Sequence, residues 1–215
     1  MVRWLLKISV AAALVWGGWW WVATTGMQRS VTAWLEERRA EEIEARVDAL
    51  SRSGFPMRTA TVVQGMQLSD QARGSTLHLP QFTLSTPIYW PGNPTLLMPA
   101  GPIGLTTPQG QHTLGASGIE AGMELHPGAA LQLEALRARA ANLVLDVPLG
   151  RVFTADAVQL DLRQAATPQT YQLDLATTGF ALGAVFRDGL ESIPATWPET
   201  FEPVVAQMSL TFDRP

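Results

Sequence analysis

Hydrophobic positions along this chain fall into three regimes. From Trp4 to Thr24 the residues are almost all apolar, opening beside Arg3 and Lys7 and closing on Trp19-Trp20-Trp21. From Gln28 to Leu50 the period is near 3.6, with Val31, Trp34, Leu35, Ile43, Val47 and Leu50 approximating one stripe among glutamates and arginines. From Met57 onward the period is 2, clearest where Ile119, Ala121, Met123 and Leu125 alternate with Glu120, Gly122, Glu124 and His126. These regimes predict a transmembrane signal anchor over 1–25, a juxtamembrane amphipathic helix over 26–54 and an antiparallel β domain over 55–215. The expected fold is mainly β: an N-terminal transmembrane helix and an amphipathic helix, followed by a curved antiparallel β meander.

A helix of about twenty apolar residues matches the roughly 30 Å hydrocarbon core of a bilayer, and tryptophan favours the membrane–water interface. Arg3, Trp4, Lys7, Trp16, Trp19, Trp20 and Trp21 are therefore the anchor residues. A cleaved signal peptide is the alternative, because Ala23, Thr24 and Thr25 are small. The bulky tryptophans beside them favour retention. Arg3 and Lys7 nearly balance Arg29, Arg38 and Arg39, and the short basic lead-in predicts the N-terminus inside.

In the second regime Arg38–Glu42 and Glu42–Arg46 have i,i+4 spacing, and Thr25 with Gln28 has the form of a capping box. The charged run reads as a solvated helix face, with Gly54 and Pro56 as its stop. Further on, Gln132-Leu133-Glu134, Gln159-Leu160-Asp161-Leu162 and Gln172-Leu173-Asp174-Leu175 repeat one phrase, echoed by Leu145-Asp146-Val147 and Leu210-Thr211-Phe212-Asp213. Each sets an acid opposite its flanking leucines. No calcium-loop spacing accompanies these acids, so they read as outward charges on a sheet. Turns are expected at Pro91-Gly92-Asn93, Gln109-Gly110, Pro127-Gly128, Leu149-Gly150 and Thr167-Pro168-Gln169. The alternation slips between Leu79 and Phe82 and again at Thr178-Gly179, as bulges cause. Residues 131–143 fit both periods, since Leu133, Leu136, Ala140 and Leu143 suit a helix; the Leu-Asp phrase beside them favours a strand.

Charge and composition narrow the function. From Gly26 onward 13 arginines face 19 acidic residues, which leaves −6 and argues against nucleic acid as a partner. The chain has no cysteine, which removes disulfides, thiolate chemistry and cysteine-based zinc sites. His78, His112 and His126 are far apart, and the serines near Gly54 and Gly118 form no Gly-x-Ser-x-Gly elbow. No glycine-rich loop opens a helix to cradle phosphate. No catalytic residue, metal or cofactor is expected.

Particular residues carry a resemblance. The tryptophan-rich start leads through Arg29–Leu50 into Ser53-Gly54-Phe55-Pro56-Met57-Arg58, then Pro87–Trp90 with its Pro91-Gly92-Asn93 turn, Thr107-Pro108-Gln109-Gly110 and the Leu-Asp strands. Over essentially the whole chain this resembles the family known as domain of unknown function 2125, from the envelopes of Gram-negative bacteria. The resemblance implies a strand-rich, membrane-anchored layout similar to AsmA-like proteins, which are associated with lipid handling. It implies no catalytic residues. Such proteins are usually longer, so a further C-terminal part is expected beyond Asp213-Arg214-Pro215. The expected location is the bacterial inner membrane, single-pass, with the bulk of the chain in the periplasm.

Two functions fit. In the first the sheet binds phospholipid or another acyl ligand on an apolar lining of Ile119, Met123, Leu125, Leu160, Leu162, Leu173 and Leu175. In the second the protein is a scaffold, binding an envelope protein through its helix or a sheet edge, with Tyr89 and Trp90 as contact residues.

Overall fold

A computed structural model describes residues 2–40, 43–90, 92–126, 132–167, 170–190, 198–201 and 203–211. One helix, α1 (Val2–Ala40), runs from the first regime into the second without a break at Gly26. After it come β1 (Ile43–Arg46), β2 (Ala49–Ser53), β3 (Arg58–Asp70), β4 (Ser75–Pro87), β5 (Thr95–Thr107) and β6 (Gly110–Leu125). They are followed by β7 (Leu133–Val147), β8 (Gly150–Gln164), β9 (Thr170–Thr178), β10 (Ala181–Leu182), the short helix α2 (Ala184–Leu190) and β11 (Val204–Thr211). The 11 strands of the described residues lie in one open antiparallel sheet of order β1-β3-β4-β5-β6-β7-β8-β9-β11, with β2 also on β3 and β10 on β8.

The N-terminal expectations need correction. The amphipathic helix expected through Leu50 ends at Ala40, and 43–46 and 49–53 are strands paired with β3. Tertiary burial decides this. Ala45, Val63 and Met66 form a buried cluster, with Val47, Leu50, Leu68, Leu79 and Phe82 packed against it. A sheet edge buries these side chains where an isolated charged helix would leave them wet. Thr25 caps nothing, because its hydroxyl donates to the Trp21 carbonyl inside the continuous helix (2.7 Å). Gly54 instead turns β2 into β3, where the Arg58 N–H donates to its carbonyl at 2.9 Å.

No helix among the described residues is long and apolar enough to cross a membrane, so the transmembrane helix expected over 1–25 is not found. Lys7, Gly17, Gly18 and five tryptophans, whose indoles carry a polar N–H, dilute the aliphatic content of this stretch.

The β meander matches expectation closely. Gln109-Gly110 and Leu149-Gly150 lie at the β5–β6 and β7–β8 hairpins. The β4–β5 register shifts between His78 and Thr83, and Gly179 has a positive φ of 59° just past β9. From Leu133 the ambiguous segment is strand. The turns at Pro91, Pro127-Gly128 and Pro168-Gln169, the ion pairs assigned to Glu42 and the echo at Phe212-Asp213 fall outside the described residues.

The position of α1 orients the molecule. Its Trp20 reaches Arg58 at the start of β3, while its end at Ala40 leads to Ile43, which pairs with Asp70 at the end of β3. Hence α1 lies alongside β3 and runs in the same direction. Residues before Trp16 continue past the turn at 54–57, beyond the sheet end that carries Arg58, Pro87, Leu125, Leu133, Gln164 and Thr170. This is the helix end of the sheet. The opposite end carries Asp70, Ser75, Thr107, Gly110, Val147 and Gly150.

Candidate functional site: the apolar face of the sheet

Strand register collects the leucines of the repeated phrase on one face. Leu160 pairs with Leu175 and Leu162 with Leu173 across β8 and β9. On β7, Ala138 and Leu136 pair with Leu160 and Leu162, and on β6 Ala121 and Met123 pair with Ala138 and Leu136. β11 adds Ala206 opposite Leu175 and Met208 opposite Leu173. Two continuous cross-strand rows result: Ala121–Ala138–Leu160–Leu175–Ala206 and Met123–Leu136–Leu162–Leu173–Met208. Ile119 extends the face one step toward the far end, and Leu125 closes it at the helix end. All seven residues expected to line an apolar surface are thus brought together.

Sequence reading had missed Leu136, Ala138, Ala206 and Met208. The signal was present in β7, where Leu136, Ala138 and Ala140 alternate with Arg137 and Arg139, but leucines spaced by three and four obscured it.

This face is not packed like a core. The largest fully buried side chains are Val63, Thr24 and Thr61, all beside α1 and β3. Leu136, Leu160, Leu162, Leu173 and Leu175 are half-buried, while Met123 and Met208 are exposed. Among the described residues, α1 meets only β1, β2 and β3, and α2 only β8 and β10. No described helix covers β5, β6, β7, β9 or β11.

The opposite face is polar and held by ion pairs. Arg137 lies between Glu124 (2.8 Å) and Asp161 (3.4 Å), and Arg163 also reaches Asp161 (3.3 Å). Asp161 sits directly opposite Asp174 on β9, a like-charge pair that the two arginines offset. Near the far end Asp146 hydrogen-bonds Arg151 at 3.0 Å and holds its guanidinium above the ordinary value, the hydrogen bond acting more than the charge. A shallow depression of about 410 Å³ lies across β5 to β8, its lining including Leu97, Ile119, Glu120, Arg139, Val158 and Gln159.

The remaining candidates separate. Tyr89 is exposed, whereas Trp90 is half-buried and lies over Gly92, where a Cβ would sit 2.3 Å from the indole. Trp4, Lys7, Trp16, Trp19 and Trp21 are exposed, and Trp20 is half-buried against the β domain; the Arg3 side chain is outside what the structure describes. His78 lies on β4 and His112 on β6, while His126 follows β6 and meets Glu134 at 2.5 Å. Among the described residues no group of histidines and acids is placed to hold a metal ion.

The profile of the family described as "Uncharacterized protein conserved in bacteria (DUF2125)" matches residues 20–215. The chain belongs to this family. No curated protein and no solved structure matches it. The DUF2125 match begins at Trp20, the residue that joins α1 to the sheet. It therefore takes in the whole β domain and leaves out most of the tryptophan-rich helix start.

Proposed function

We propose that this DUF2125 protein is a non-enzymatic, membrane-attached protein of the bacterial envelope that binds lipid on the apolar face of its sheet. The observation that carries this reading is the row Met123–Leu136–Leu162–Leu173–Met208, five apolar side chains on adjacent strands, of which all but β8 meet no described helix. Contiguous apolar surface of this kind marks an interaction site, and long unbranched side chains such as methionine adapt to acyl chains of varied shape. Attachment rests on α1, whose Trp4, Ile8, Leu14, Val15 and Trp19 are exposed. The location in the inner membrane, with the sheet on the periplasmic side, belongs to the same proposal.

The test is to extract the full chain gently and count bound phospholipid by native mass spectrometry, beside the variant Leu173→Lys. Lipid at fixed stoichiometry in the parent, lost in a variant with unchanged circular dichroism, supports the reading. A lipid-free parent, or a variant that keeps its lipid, overturns it.

One observation favours a second reading, in which a protein partner adds a strand. β11 pairs only with β9 among the described residues, and its sequence Val-Val-Ala-Gln-Met-Ser-Leu-Thr has no charge or proline to discourage edge pairing. A stoichiometric protein co-purifying with the parent but not with a Val205→Lys variant would favour it.

A further inference from the structure

Four exposed apolar side chains from three separate stretches converge at the helix end of the sheet. The Trp16 indole N–H donates to the Pro56 carbonyl at 3.0 Å, which places the turn at 54–57 against α1. The Ile88 N–H donates to the Met57 carbonyl at 3.0 Å, which brings the turn after β4 beside it. Phe55 meets Trp20 edge-on, with ring centroids 5.3 Å apart. Yet Phe55 is 61% exposed, Met57 62% and Tyr89 79%, and Trp16 retains 38%. None of the residues 54–57 or 88–94 is acidic, in a chain whose net charge is −4.

The helix decides what this cluster faces. From Trp16 back to Val2, α1 continues past these turns for roughly 20 Å, with Trp4, Ile8, Val10, Leu14 and Val15 exposed along it. The cluster and the protruding apolar helix therefore point from the same end of the sheet. Tyrosine and tryptophan beside phenylalanine and methionine match the boundary between headgroups and acyl chains, where a ring is buried and its polar atom stays wet. Leu125 and Leu133, the last apolar pair of β6 and β7, end at this level, and the Leu125 N–H donates to the Gly92 carbonyl at 2.9 Å.

We infer that the turn at 54–57 and residues 88–90 are a membrane-contact edge, seated in the interfacial layer of a lipid bilayer through Phe55, Met57 and Tyr89. Trp16 and Trp20 set the sheet on the helix so that its apolar face opens onto the bilayer at this edge and points away from it at the other. This rests on the membrane-attached reading above and adds to it the direction in which the sheet stands.

The absence of cysteine makes the test direct, because one introduced thiol is the only labelling site. The variants Met57→Cys, Tyr89→Cys and Leu149→Cys, each in the full chain, are labelled with an environment-sensitive fluorophore. Each is then mixed with phosphatidylethanolamine–phosphatidylglycerol vesicles containing doxyl lipids. Leu149 is exposed at the hairpin of the far end. Quenching by doxyl lipid several-fold stronger at positions 57 and 89 than at 149 is the expected result. Protein that floats with the vesicles while positions 57 and 89 stay unquenched, or while 149 is quenched equally, overturns the membrane-contact edge alone. Protein that does not float overturns the membrane-attached reading and this inference with it.

Discussion

The Trp20 indole N–H donates to the Arg58 carbonyl at 2.8 Å, joining residues 38 apart in sequence. With the Trp16–Pro56 bond, it ties α1 to the first long strand of the sheet. Thr24, one turn further along α1, is fully buried, and its hydroxyl donates to the Trp20 carbonyl. Trp20→Phe keeps a ring against Phe55 and removes the donor with part of the ring. It is expected to lower stability by about 1 kcal/mol, and Trp20→Ala by roughly 3 kcal/mol. Urea unfolding followed by circular dichroism measures both, and equal midpoints for parent and Trp20→Ala would show that the helix is not held here.

Gly65 and Gly179 repeat one device. Each has a φ of +59°, and a Cβ on either would strike an aspartate: Asp48 Oδ2 at 1.8 Å and Asp156 Oδ2 at 2.1 Å. Gly65→Ala is expected to cost roughly 1–3 kcal/mol from the left-handed backbone and the clash together. Adding Asp48→Ala relieves the carboxylate clash and leaves the backbone strain, so the double variant should recover only part of the loss. Full recovery would assign the whole cost to the aspartate.

Thr61 and Thr177 are buried, and neither hydroxyl has a hydrogen-bond partner among the described residues. Valine is near in shape and carries no group that requires a partner. Thr61→Val should therefore raise stability by about 1 kcal/mol, and Thr177→Val by a similar amount. A loss in either variant would reveal a partner for that hydroxyl.

The pairing of Asp161 with Asp174 makes Arg137 a compensating charge more than a source of stability. Its ion pairs are half exposed, so Arg137→Gln should cost no more than about 1 kcal/mol, and less in high salt. Asp174→Asn in the same chain should restore most of that loss. A double-mutant cycle reads the coupling, and independent effects of the two substitutions would refute it.

The apolar face was legible because alternation and strand register report the same thing. Once Leu160, Leu162, Leu173 and Leu175 alternate with acids, antiparallel pairing leaves only which leucine meets which to be found. The segment from Ile43 to Leu50 was not legible in this way. Its apolar residues at 43, 47 and 50 fit a helical stripe, and only contact with Val63 and Met66, distant in sequence, makes them strands. The membrane-contact edge was half visible. Tyr89 and Trp90 stood out together, but whether an aromatic packs or protrudes depends on its neighbours: Gly92 takes the Trp90 ring and Tyr89 stays exposed. Phe55 and Met57 stood out as sequence only through the family resemblance, and the two tryptophan bonds bring them to one surface.

From β3 to β9 each strand neighbours the one made just before it. Chain synthesised from the N-terminus therefore meets a finished edge at every step, so the sheet can grow hairpin by hairpin with little loop entropy to overcome. Among the described residues β1 and β2 pair with β3 alone, and α1 lies against these same three strands, so the first part of the chain can settle as soon as the third strand is complete. This order permits assembly as a zipper from a fixed start, in which a chain interrupted at any hairpin would leave a shorter sheet of the same kind.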